Sequence, residues 1–228
     1  MSLITTLQSY SSFSPVISAD RPFRKLDFTA GNTDLPALDL TDTTAFSDYV
    51  FGKMLDNGRY VGVGGYNEHR VIYRRSAHFG DYAAEGRCIH LGVDIWAEAH
   101  TPVCNPLPGV VQSIAFNDNF GDYGPTIILR HELDEFVFHT LYGHLTLASL
   151  EHIFVGQEIG AGEPFTAIGD YPENGNWPPH LHFQLITELS GYHGDYPGVA
   201  SLTDRQTYLE NCPDPNLILR IGALDFGS

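Results

Sequence analysis

From Cys88 onward the chain is punctuated too often for long helices. Seven short runs, at residues 89–96, 102–105, 109–116, 126–131, 136–142, 164–169 and 180–187, are rich in β-branched, aromatic and alternating apolar residues. Turn-forming stretches at 106–109, 117–125 and 160–163 separate them. Strands alternating with amphipathic helices would indicate a parallel sheet, and no such alternation is present. What remains is a mainly β fold, an antiparallel sandwich or barrel-like domain.

The ends read differently. Residues 1–40 show little periodicity and are broken by Pro15, Pro22 and Pro36, which suggests an extended arm packed over the main domain. Residues 42–57 place Phe46, Tyr49, Val50 and Met54 on one helical face, with Thr41 or Asp42 as cap and Gly58 as stop. Residues 60–65 and 70–73 suit a hairpin. Residues 147–152 suggest a helical turn, and residues 203–211 a short C-terminal helix. The expected organisation is an N-terminal extension over 1–86 packing on a main domain over 87–190, with a tail over 191–228.

The formal charge of −16 disfavours a nucleic-acid partner, because an acidic surface repels phosphate. No stretch approaches the roughly 20 apolar residues of a membrane span. Cys88, Cys104 and Cys212 are odd in number and lack zinc-module spacing, as reduced thiols would. The first residues carry neither a basic start nor a long apolar run, so the expected location is cytoplasmic, or extracellular if a leader has been removed.

Histidines and a carboxylate fall in patterns that a metal site needs. In His90-Leu91-Gly92-Val93-Asp94, a strand period of two puts His90, Gly92 and Asp94 on one face. The same period puts His180 and His182 on one face of the last run, just after Pro178 and Pro179. His144 follows an aromatic strand and a glycine. Catalytic zinc takes three protein ligands and leaves a position for water. His90, Asp94 and one of the two strand histidines supply two nitrogens and an oxygen. His144 and the other strand histidine can flank the water as proton acceptor and donor. His139, five residues from His144, belongs to the opposite face, and His131, His152 and His193 read as solvated turn residues.

These motifs, in this order, resemble the lysostaphin-type (LytM-like) zinc metallopeptidases, the peptidoglycan endopeptidase family. His90-Leu91-Gly92-Val93-Asp94 resembles the family's His-x-x-x-Asp motif. Thr101-Pro102-Val103 and Pro108-Gly109-Val110-Val111 resemble its following strand pair. Tyr142-Gly143-His144-Leu145 resembles its tyrosine-x-His-Leu motif, Val155-Gly156-Gln157 a characteristic turn, and His180-Leu181-His182 its closing His-x-His. The resemblance implies one Zn²⁺ per chain on His90, Asp94 and His182, with His144 and His180 as the catalytic pair assisting a metal-activated water. It implies an endopeptidase acting on a peptide or peptidoglycan-type cross-link. Upstream tyrosines in relatives suggest an oxyanion or substrate role for Tyr82. Trp177 stands in a Pro-rich loop, 171–179, where the family has a small-residue turn, and is a candidate substrate wall. The tail from Tyr196-Pro197-Gly198-Val199 to Cys212-Pro213-Asp214-Pro215 is similar to a subgroup joined to a class III aminotransferase, which implies a functional link and an intracellular role.

Two other functions compete. A non-catalytic binding or regulatory module could keep the metal on the same fold. A non-haem Fe(II) oxygenase could use two histidines and one carboxylate with open positions. The two additional histidines fit water activation better than oxygen chemistry.

Overall fold

The short strands assemble into one open sheet that carries the histidines in its centre. The computed structural model describes residues 2–81 and 86–225. Its strands are β1 (Phe23–Leu26), β2 (Val61–Gly64), β3 (Ile89–His90), β4 (Val93–Trp96), β5 (Pro102–Cys104), β6 (Gly109–Asn117), β7 (Gly124–Leu133), β8 (Phe136–Gly143), β9 (Glu158–Ile159), β10 (Pro164–Ala167), β11 (Leu181–Ile186) and β12 (Val199–Ala200). Eight of them form the main sheet in the order β1-β2-β4-β11-β8-β7-β6-β9. Every neighbouring pair in it is antiparallel except β1–β2. The sheet does not close into a barrel: β1 and β9 lie at its two ends. The pairs β5–β10 and β3–β12 form separate two-stranded sheets.

The single run expected over 89–96 is split. Its first part, β3, pairs with β12, and its second, β4, enters the main sheet. The break falls at Leu91 and Gly92. A Cβ on Gly92 would lie 2.6 Å from His182 Cε1 and 2.8 Å from the Phe183 carbonyl oxygen. Only glycine lets the chain pass this close to β11.

The N-terminal extension is not an arm laid over a finished domain. It supplies β1 and β2 to the main sheet, with β2 pairing β4 so that Gly64 faces Asp94. The expected hairpin over 60–65 and 70–73 does not form. Val61–Gly64 pairs with strands far away in sequence, and Ile72–Arg75 is a 3-10 turn. The first forty residues also hold helix α1 (Leu3–Ser9), whose N-cap Ser2 accepts from Thr5 N–H. Seven residues are too few to show a periodicity.

The helix expected over 42–57 is present as α2 (Thr43–Ser47) continuing into a π-helical stretch, Asp48–Met54. The Asp42 carboxylate accepts from Thr44 and Ala45 N–H and satisfies two of the helix's free donors. Phe46 and Val50 are fully buried. The C-terminal helix is α3 (Arg205–Asn211), and a further short helix, α4 (Asn216–Leu219), follows.

Two apolar clusters cover the centre of the sheet. Val93, Ile95, Leu181, Phe183, Leu185, Ile127 and Leu129 pack with Leu3, Leu7, Val16 and Ile17 of the N-terminus. Trp96 and Trp177 pack with Phe28, Phe46 and Val50. Alternation along β4 separates Val93 and Ile95, in the first cluster, from Asp94 and Trp96. The extension therefore buries the sheet on one side and walls in the acidic and histidine-bearing positions on the other. All three cysteines are free thiols. No helix among the described residues is long and apolar enough to cross a membrane.

Candidate metal centre

Three adjacent strands place the candidate ligands. His182 on β11 faces Asp94 on β4 on one side and Gly143 at the end of β8 on the other. Neighbouring strands lie about 4.7–4.9 Å apart, so side chains on facing residues can touch. His90 reaches the same point from β3. His90 Nε2 is 3.0 Å from His182 Nδ1, His182 Nδ1 is 3.0 Å from Asp94 Oδ1, and His90 Nε2 is 3.2 Å from the same oxygen. All three residues are buried.

The outer ring nitrogens fix the tautomers. His90 Nδ1–H donates to the Gly65 carbonyl at 3.0 Å, and a carbonyl can only accept. His182 Nε2–H donates to Gln184 Oε1 at 2.9 Å. The Gln184 amide is held in that sense because its Nε2 donates to the Pro197 carbonyl and to Cys212 Sγ. The inner nitrogens, His90 Nε2 and His182 Nδ1, therefore carry lone pairs. Together with the Asp94 carboxylate they form three electron-pair donors within hydrogen-bond distance of one another and no proton among them. This arrangement is repulsive unless a cation lies between. Donors bonded to one tetrahedral zinc at about 2.0–2.2 Å stand about 3.3–3.6 Å apart, close to the spacing seen, so the residues fit a zinc ion.

His144 and His180 are brought to the same cavity. His144 lies one residue beyond β8 with a left-handed φ of 61°, a conformation that costs a non-glycine residue about 1–3 kcal/mol and clusters at functional sites. Its backbone N–H donates to the Tyr123 carbonyl at 2.7 Å, and its Nδ1–H to the Asn174 carbonyl at 2.8 Å. His180 Nδ1–H donates to the Pro178 carbonyl at 2.8 Å, and the ring stacks on Trp96 with centroids 4.0 Å apart. The His144 and His180 rings are 4.2 Å apart. Both present Nε2 as a proton acceptor. A cavity of about 100 Å³ is lined by these histidines and by Tyr123, Trp177 and Asp195 among others.

Trp177 stands edge-on to His144 and His180, at 6.1 and 5.9 Å, and is buried against Phe46. The loop that carries it is fastened by Asn174. Its amide nitrogen donates to the Gly169 and Trp177 carbonyls, and its amide oxygen accepts from Trp177 N–H. Tyr82 lies outside the described residues. His139 pairs with Ile186 in a register that puts it on the same sheet face as Gly143 and His182, not on the opposite face as expected; it lies four residues back along β8 and does not line the cavity. His131 is not solvated as expected: it lies in β7, fully buried, donating to the Pro108 carbonyl and accepting from Thr140 Oγ1.

Sequence reasoning missed four supporting residues: Arg70, Tyr123, Asn174 and Gln184. Gln184 shares the strand face of His180 and His182, so its position was visible. The other three come from segments with no spacing relation to the ligands. Tyr123 Oη donates to the Tyr196 carbonyl at 3.1 Å, and its ring packs 5.1 Å from that of His182.

Burial dominates the ionisation of the site. It lowers His90 and His180 to about 4, and holds His144 well below the usual histidine value. Burial also lowers His131 to about 4. For Asp94, burial opposes ionisation, but the facing His90 and the Arg70 guanidinium outweigh it and keep the carboxyl well below its usual range. In an unfolded chain each histidine titrates near 6.5. Between pH 6.5 and 4 the unfolded chain therefore binds protons that the folded chain does not, and stability falls as pH falls through that window. The metal-free protein should unfold at a clearly lower urea midpoint at pH 5 than at pH 7, and equal midpoints would contradict these ionisation states.

A mainly β fold with two buried histidines and a carboxylate meeting at one point defines a class, that of proteins with a candidate His/Asp/His metal site. Residues 88–193, a little under half of the chain, match the profile of Peptidase family M23. The family is one of metal-dependent peptidases, and it includes the lysostaphin- and LytM-like enzymes. An uncharacterized metalloprotease of Haemophilus influenzae is 30% identical over 96 residues, which is 42% of this chain and 18% of that protein. The chain thus corresponds to a small part of that relative's length. The catalytic domain of lysostaphin from Staphylococcus simulans is 19% identical with a TM-score of 0.41, covering 68% of this chain and 96% of that one. A zinc-containing peptidase from Vibrio cholerae is 23% identical with a TM-score of 0.34, covering 46% and 29%.

Proposed function

We propose that the chain is a zinc-dependent endopeptidase, with one zinc held by His90, Asp94 and His182 and with His144 and His180 handling protons. The observation that carries this reading is the meeting of three buried lone-pair donors, each fixed from behind, beside two further neutral imidazoles. When bound, zinc supplies Lewis acidity toward the scissile carbonyl and lowers the pKa of water to roughly 7. His144, kept neutral by burial and by its Nδ1–H bond to Asn174, accepts a proton from the attacking water at Nε2. His180, neutral through burial and its Nδ1–H bond to Pro178, also offers a lone pair at Nε2. It can donate to the oxyanion or the leaving amine only after taking up a proton there, and His144, once it holds the proton of the attacking water, is a donor to the leaving amine. Trp96 fixes the plane of His180 by stacking, and Asn174 fixes His144 and the Trp177 loop together. Trp177 forms the wall behind this pair and restricts what the cavity admits. The substrates proposed are peptides or peptidoglycan-type cross-links.

The test is a mixed peptide library incubated with wild type and with His144→Ala. Wild type should cleave a defined subset. His144→Ala should cleave the same bonds about 10²–10⁴-fold more slowly, the usual worth of a general acid or base, with unchanged zinc content. Peptide binding without cleavage by both proteins would contradict the catalytic reading and favour a binding module.

A further inference from the structure

A cation-binding centre with a guanidinium buried against one of its ligands is unexpected on electrostatic grounds alone. Arg70 is fully buried. Its Nη1 donates to Asp94 Oδ2, and its Nε donates to Glu68 Oε2 at 2.8 Å. The Tyr73 hydroxyl lies 3.4 Å from Nη1, and the Phe28 ring 5.6 Å from the guanidinium carbon. Space for the guanidinium is made by Gly64, the residue that faces Asp94 on β2: a Cβ there would overlap Arg70 Nη2. A buried ion pair is often no more stabilising than a well-packed apolar pair. Stability therefore does not account for the placement.

The two oxygens of Asp94 are treated differently. Oδ1 points to His90 and His182, at 3.2 and 3.0 Å. Oδ2 is taken by Arg70. We propose that Arg70 is a positioning residue: it commits Oδ2 and leaves Oδ1 as the single oxygen that Asp94 offers to a metal. Glu68 anchors Arg70 from the other side, so rotating the carboxylate breaks its charge-assisted bond to a guanidinium that is held back from following it. One oxygen and two nitrogens then hold the ion, and a fourth position stays free for water or a carbonyl. Without the guanidinium, Oδ2 can swing in as a second donor and fill that position. This inference rests on the metal-centre reading above.

The experiment uses cobalt in place of zinc, because Co²⁺ reports its coordination in the visible spectrum. Wild type, Arg70→Met and Gly64→Ala are each loaded with Co²⁺, and their zinc affinity is measured by chelator competition. Wild type should show the intense absorption of four-coordinate cobalt. Arg70→Met should show the weaker absorption of a higher coordination number, together with a zinc affinity lower by about 10–100-fold, the usual effect of losing an outer partner. Gly64→Ala keeps every charged group but displaces the guanidinium, and should move both readouts the same way. It carries the test if Arg70→Met does not fold. A folded variant with the wild-type spectrum and a zinc affinity within about twofold of wild type overturns the positioning role alone. A wild type that takes up neither metal overturns the metal centre, and this role with it.

Discussion

Alanine at His182 is expected to abolish both metal binding and peptide cleavage. His182 Nδ1 is the one ring nitrogen within 3.0 Å of both other candidate ligands. Without it, His90 and Asp94 remain, and two protein donors fall short of the three that a catalytic zinc takes. The affinity loss should exceed the 10–100-fold that changes in outer partners cost. The variant also separates binding from folding. A ligand that binds only the folded state stabilises it by about 2.7 kcal/mol at a hundred times its Kd. Wild type should therefore melt higher with added zinc, whereas His182→Ala should melt at the same temperature with and without it. Calorimetry of both proteins, metal-free and zinc-loaded, checks this. A zinc-dependent shift in the variant equal to that of wild type would remove His182 from the ligand set.

The second large effect is structural and reaches the site through packing. Trp96 is fully buried and sits where β4, the helix of the extension and His180 meet. Its ring lies 5.1 Å from Phe28 and 6.3 Å from Phe46, and it stacks on His180. Its indole N–H has no hydrogen-bond partner among the described residues, so its removal costs packing alone. Trp96→Ala should destabilise the protein by about 3–5 kcal/mol, the range for deleting a large buried aromatic. For a chain of this size that is a melting temperature lower by about 6–20 °C. His180 loses the surface that sets its plane, so kcat should fall further than the folded fraction explains. A melting point within 2–3 °C of wild type (about the effect of 1 kcal/mol) would show that the extension does not depend on this contact.

The ligands were readable because their geometry is local. His90 and Asp94 are four residues apart and His180 and His182 two apart, so alternation suggests one face for each pair, and His90 and Asp94 still meet although the chain breaks between β3 and β4. His144 could be nominated from its place after an aromatic strand and a glycine, but its orientation depends on a left-handed kink that no residue type at that position announces. What holds the imidazoles was not readable. Their outer N–H groups end on the carbonyls of Gly65, Asn174 and Pro178 and on the Gln184 amide. Backbone carbonyls leave no trace in a side-chain pattern. Arg70 lies 24 residues before Asp94, and the two meet only because β2 joins β4.

The same distinction explains the fold. The antiparallel order of β6, β7 and β8 follows from adjacent strands joined by short turns. The pairing of β1 with β2 does not, because four-residue strands separated by a helix carry no signal of their partner. Val61–Gly64 looked like half of a hairpin since a turn-rich stretch follows it, yet its pairing strands are β1, well before it, and β4, beyond residue 90. His131 looked solvated beside Glu132 and Asp134. In the structure β7 runs on to Leu133, and Thr140 from β8 closes over the ring.

His90, Asp94 and His182 are proposed to converge as lone-pair donors around a metal ion. The most direct measurement is a zinc titration of metal-free wild-type protein at pH 7 against a chromophoric chelator, with elemental analysis of the protein as purified. The account predicts one tight zinc site per chain and about one zinc per chain on purification. Failure to take up any divalent ion would contradict it, and iron in place of zinc would overturn the hydrolytic reading.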